Sequence, residues 1–67
     1  MKFRIQTKGT RWSVGPDEQQ HPEPIKVNVT LEFEHEPNQE DARNALEKMP
    51  SYQMVIWNEM FKITKIE

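Results

Sequence analysis

The clearest pattern in the chain lies between Ile25 and His35, where Ile25, Val27, Val29, Leu31 and Phe33 alternate with Lys26, Asn28, Thr30, Glu32 and Glu34. Successive side chains of a β-strand point to opposite faces, so this segment predicts a strand with one face in a core and the other in solvent. Five apolar positions are more than an average strand supplies. They predict a central strand, paired on both sides.

Over residues 2–14, a two-residue turn at Lys8-Gly9 pairs Thr7 with Thr10, Ile5 with Trp12 and Phe3 with Val14. That register puts every large apolar residue of a hairpin on one face and leaves Lys2, Arg4, Gln6, Arg11 and Ser13 on the other. The following stretch, Gly15 to Pro24, holds three prolines and no large apolar side chain. It is expected to be a mobile loop over about 15–24, because proline removes ladder donors and nothing in the segment anchors it to a core.

Pro37-Asn38 ends the alternating strand, and Asn38 is suited to cap a helix whose first turn holds Glu40 and Asp41. Ala42, Ala45, Leu46 and Met49 then recur at helical spacing, and Pro50 closes the helix. From Tyr52 to Ile66 the chain reads as β-structure, with two arrangements open. In one, a turn at Asn58-Glu59 makes a second hairpin and pairs Ile56 with Phe61 and Met54 with Ile63 toward the helix. In the other, a single long strand carries a bulge near Asn58.

The expected fold is α+β: one domain over residues 1–67, with one helix packed on a mainly antiparallel sheet in the order β-β-β-α-β-β. The 34% hydrophobic content is low, but the apolar residues are ordered, which favours a folded chain over a disordered one. There is no cysteine, so disulfides, thiolate metal sites and thiol nucleophiles are excluded. No apolar run reaches the length of a signal peptide or a membrane span, and the expected location is cytoplasmic.

Net charge is only −2, but it is unevenly placed. Residues 1–14 carry Lys2, Arg4, Lys8 and Arg11 with no acid; residues 15–48 carry nine acids against Lys26, Arg43 and Lys48. The expectation is a basic end and an acidic middle.

Candidate chemistry is sparse. Ser13 and Ser51 have no nearby histidine or glycine-rich elbow, and two glycines, Gly9 and Gly15, are too few for a phosphate cradle. His21, His35, Glu34 and Glu36 are the conceivable metal ligands, yet strand alternation sends Glu34 and Glu36 to one side and His35 to the other. Neither a catalytic residue, nor a cofactor, nor a metal site is expected.

What remains is surface. In the hairpin arrangement of residues 52–66, Val55, Trp57, Met60 and Ile66 fall on the face away from the helix, where a large apolar patch marks a contact surface. If another part of the chain folds over that face, Trp57 is internal instead. The acidic row Glu32, Glu34 and Glu36 is a second candidate for docking a protein. These residues lead to a non-catalytic accessory or interaction protein, a regulator or inhibitor of the kind encoded by a bacterium, virus or mobile element. Its partner is expected to be a protein, self or heterologous, with no membrane involved. The second-ranked reading is a nucleic-acid-binding module that tracks phosphates with Lys2, Arg4, Lys8 and Arg11.

Overall fold

Residues Lys2–Val14 form one uninterrupted strand, β1, in the computed structural model, which describes residues 1–67. It pairs antiparallel along its whole length with β2, Gln20–Glu32. The turn expected at Lys8-Gly9 does not form. The chain reverses instead at Gly15-Pro16-Asp17-Glu18, where the Glu18 N–H donates to the Gly15 carbonyl and the Gly15 N–H to the Gln19 carbonyl, both at 3.0 Å. Pro16 pre-sets the backbone for the first turn position, and Asp17 accepts from the Gln19 N–H at 3.2 Å. Glu18 then takes the left-handed conformation, φ 62°, that a three-residue hairpin loop requires. Reversal here allows every residue of β1 to pair, whereas a turn at Lys8-Gly9 allows barely half as many pairs.

Residues 20–24, expected in the mobile loop, are therefore strand. Their prolines are accommodated by register. Met1 and Phe33 exchange two hydrogen bonds, at 2.9 and 2.8 Å, so odd-numbered residues of β1 form the hydrogen-bonded pairs with β2. Pro22 and Pro24 face Trp12 and Thr10 in the alternate, non-hydrogen-bonded pairs. Their nitrogens point away from β1, toward the outer edge, where no ladder donor is required.

The expected central strand is thus the sheet's edge, and β1 is its centre. On the other side of β1 runs a third row built from two short strands, β3 (Ile56–Trp57) opposite Thr10 and Gly9, and β4 (Lys62–Lys65) opposite Gln6 to Phe3. Four residues, Asn58 to Phe61, stand opposite Thr7 and Lys8 alone. The second hairpin is absent, and the row is the bulged single course. An insertion of two residues preserves the side-chain parity of the row, so Val55, Trp57, Phe61 and Ile63 all face the core side while Met54 and Ile56 turn outward. A hairpin turn after Trp57 would have given the opposite assignment for residues 54–57.

The sheet is therefore antiparallel with four strands, in the chain order β-β-α-β-β, one strand fewer than expected. The helix, α1, spans Gln39–Glu47 and starts as its residues predict. Asn38 Oδ1 accepts from the Asp41 N–H at 2.8 Å, and Asp41 accepts from the Asn38 N–H at 3.2 Å, a reciprocal cap. Ala42 and Leu46 join Phe3, Ile5, Val27 and Phe61 in one buried cluster. The first turn of α1 is also tied to the bulge, because the Gln39 amide donates to the Phe61 carbonyl and accepts from the Phe61 N–H, at 2.8 and 2.7 Å. A short 3₁₀ turn, Pro50–Tyr52, leads back to the sheet.

Gly9 marks the point where the third row crosses closest. A Cβ there would lie 2.5 Å from Val55 Cγ1 and 2.8 Å from the Ile56 carbonyl oxygen, so this glycine serves close approach within a strand. Thirteen residues of strand span about 44 Å, which accounts for a long axis of 46 Å in a molecule only 18 Å and 16 Å across. The radius of gyration, 13.5 Å, exceeds the roughly 11 Å of a round domain this size. The excess is the far part of the β1–β2 ribbon, an arm that extends beyond the third row.

Candidate functional site: the open sheet face and the arm

One face of the sheet is covered by α1 and its flanking loops, and the other is bare. On the bare face β1 presents its even residues, Lys2 to Val14, and β2 its even residues, Gln20 to Glu32. The face divides into two zones.

The first zone lies at the root of the arm. Trp12 is 52% exposed, Met54 91% and Ile56 60%, values far above those of large apolar side chains that merely edge a core. Ile56 is the register partner of Thr10, and Met54 precedes it in the same row. Met54 takes a left-handed backbone, φ 62°, which turns the chain out of the sheet and ends the third row at Ile56. Beyond Thr10 the inner edge of β1 is consequently uncovered. The backbone N–H and C=O groups of Trp12 and Val14, which belong to non-hydrogen-bonded pairs with β2, point into that open edge. A groove of about 620 Å³ runs along it, walled by Trp12, Met54, Val55, Ile56 and Pro50. Arg11, expected beside Lys2 and Arg4, points to the helix side, where its guanidinium donates to the Ser51 carbonyl. The continuous strand gives it the opposite parity from the other three cations.

The second zone is the body of the face. Lys8 stands directly opposite Lys26, Gln6 opposite Asn28 on one side and Lys62 on the other, and Arg4 opposite Thr30 and Thr64. Sequence order had assigned Lys26 to an acidic middle; the sheet places it in a basic field.

The residues expected to bind protein separate in space. Val55 is buried, and Trp57 is half-buried and packs edge-on against Phe61 with ring centroids 5.3 Å apart. Both lie on the core side, so the outward placement expected for them is corrected. The Trp57 indole N–H is buried without a hydrogen-bond partner. Met60, 77% exposed, stands on the bulge and shares a groove with Trp57, Gln39 and Arg43. Ile66 is 43% exposed at the far end of the row, its N–H donating to the Lys2 carbonyl at 2.8 Å. The acidic row is not a strand face, because β2 ends at Glu32. Glu32 accepts from the amino terminus at 3.2 Å, while Glu34 and Glu36 are exposed in the following loop.

The two histidines are far apart along β2. His21, near the arm's tip, donates from Nε2 to both Asp17 carboxylate oxygens at 2.9 and 3.0 Å. That contact, helped by the Gln19 N–H, holds the Asp17 carboxyl below its ordinary value. His35 lies past the other end of the strand. No helix is long and apolar enough to cross a membrane.

The alternation pattern conceals the apolar zone, because a turn at Asn58-Glu59 sends Met54 and Ile56 inward and one at Lys8-Gly9 sends Trp12 to a core. The usable clue was the Pro16-Asp17 pair, a turn dipeptide that outranks Lys8-Gly9. Compared with protein-family models, with curated proteins and with solved structures, the chain matches none.

Proposed function

We propose that this chain is a small non-catalytic interaction module that binds another protein at the root of its arm. The observation carrying this reading is the coincidence of three exposed apolar side chains, Trp12, Met54 and Ile56, with an uncovered strand edge. Exposed edges are ordinarily blunted, and the outer edge of β2 is blunted here by Pro22 and Pro24. The inner edge at Trp12 and Val14 has no such protection. An extended segment of a partner laid into the groove gains main-chain hydrogen bonds from the edge and buries its alternate side chains against Trp12 and Ile56. Tryptophan and methionine are also residue types enriched where proteins meet.

The test uses two baits side by side, the parent chain and a Trp12→Ala, Ile56→Ser variant, with the fold of each checked by circular dichroism. The reading expects a partner protein held by the parent and lost by the variant, and slowed amide exchange at Trp12 and Val14 in the purified complex. A partner retained equally by both, or amides at those positions that exchange as fast bound as free, would overturn it.

A further inference from the structure

Independently of the arm, we infer that the basic body of the open sheet face binds the phosphodiester backbone of nucleic acid through Arg4, Lys8, Lys26 and Lys62. Four observations meet there. First, Lys8 and Lys26 are register partners in a non-hydrogen-bonded pair, the closest approach that antiparallel strands allow, with Cα atoms about 4.5 Å apart. Like charges placed directly across a ladder destabilise a sheet, so the fold itself gains nothing from this pair. Second, none of the four cations has a carboxylate within bridging distance. The ion pairs of the molecule join the amino terminus to Glu32, Lys2 to Glu67 and His21 to Asp17.

Third, Lys8, Lys26 and Lys62 line a depression of about 380 Å³ together with the amides Gln6 and Asn28. Glu59 is the single acid of the lining, against three lysines. A depression lined by cations and amides suits an oxyanion that also offers hydrogen-bond acceptors. Fourth, acids are sparse on this face, where Glu32, at its end, is engaged by the amino terminus. Glu40, Asp41 and Glu47 stand on α1, behind the opposite side of the sheet. A chain with a net charge of −2 thus presents a basic field on the one face that nothing covers. Arg4 and Lys8, four residues apart on one strand face, are spaced by about 13.6 Å with Gln6 between them, so with their cross-strand neighbours they form a track along the backbone of a bound strand, not a point contact.

Phosphate recognition by cations is read out through salt. Fluorescence anisotropy of a labelled oligothymidine, of a duplex of equal length and of polyglutamate is measured against the intact chain over a series of salt concentrations. Neutralising four phosphates predicts a log–log slope of about −3 for the single strand and about −3.6 for the duplex. The Lys8→Gln, Lys26→Gln, Lys62→Gln variant should bind at least about tenfold more weakly at low salt and lose about 2 units of the single-strand slope. An Arg43→Gln, Lys48→Gln variant, which changes net charge on the helix side, should leave the slope unchanged. Trp12→Ala, which tests the protein contact, should leave it unchanged too, so either reading can fail alone. Whichever of single strand and duplex binds more tightly at equal salt identifies the source of the backbone. No salt-dependent complex with either, equal affinity for polyglutamate, or an equal loss in the helix-side control would overturn the inference.

Discussion

From Phe3 to Thr10, β1 has β2 on one side and the third row, bulged opposite Thr7 and Lys8, on the other; from Arg11 to Val14 it pairs with β2 alone. The side chains follow the surroundings. In the body the odd residues Phe3 and Ile5 are buried and the even residues Lys2, Arg4 and Lys8 are exposed. In the arm the pattern inverts, with polar Arg11 and Ser13 at odd positions and apolar Trp12 and Val14 at even ones. One strand thus serves two faces, burying apolar residues inward near the helix and presenting them outward where no layer lies behind. The difference teaches that stability and recognition are divided along β1, with Gly9 at the junction.

That division is broken or sharpened first by truncation. Leu46→Ala empties a fully buried position in contact with the body and should cost about 2–5 kcal/mol. Trp12→Ala should stay within about 0.5 kcal/mol of the parent, although it removes the larger side chain. Urea denaturation of both reads the contrast. A costly Trp12→Ala would mean that the arm packs on something and is not a free surface.

A smaller effect is expected at the link between α1 and the bulge. Gln39→Ala strips both partners from the Phe61 backbone in a part-buried setting, and should destabilise by about 1–3 kcal/mol. The exchange of the Phe61 amide should accelerate with it. An unchanged midpoint would show that packing alone holds the bulge.

The smallest effects belong to the arm's tip. Glu18→Gly relieves a left-handed residue and should stabilise by about 0.5–1 kcal/mol, the strain relieved exceeding the added freedom of the unfolded chain. Asp17 is held below its ordinary value of 3.8 by the His21 hydrogen bond. A carboxyl lowered on folding contributes above its unfolded value and loses that contribution as pH falls through the folded one. An NMR titration of Asp17 should therefore show a midpoint under 3.8, and His21→Ala should raise it. A midpoint indifferent to His21 would remove the contact from the account.

Legibility in the sequence tracked how local the physics was. The start of the helix was readable because its cap and first turn, Asn38, Glu40 and Asp41, act on their own backbone, whereas its end was not: α1 stops at Glu47, two residues short of the Met49 that the apolar spacing included. The buried face of β2 was readable from Val27 and its neighbours. The course of β1 was not, since an inversion of alternation at Gly9 has two solutions, a reversal of the chain or a change of the face served. The choice rests on which turn competes better, and Glu18 stood where glycine would have announced the successful one. Parity through Asn58 to Phe61 was equally hidden, because a two-residue bulge and a two-residue turn leave opposite faces for Trp57. The basic zone joins Lys8, Lys26 and Lys62 from three rows, a proximity that no local pattern encodes.

Everything proposed for the open face rests on β1 being one strand in this register, and cross-strand Hα–Hα contacts report it directly. Non-hydrogen-bonded antiparallel pairs bring their α-protons close, so nuclear Overhauser spectra should show Hα–Hα cross-peaks for Lys8 with Lys26, Thr10 with Pro24 and Trp12 with Pro22. Hα–Hα cross-peaks linking Gln6 to Arg11 and Arg4 to Ser13, the non-hydrogen-bonded pairs of a hairpin turned at Lys8-Gly9, with those three absent, would restore that turn, return Trp12 to the core side and contradict the account.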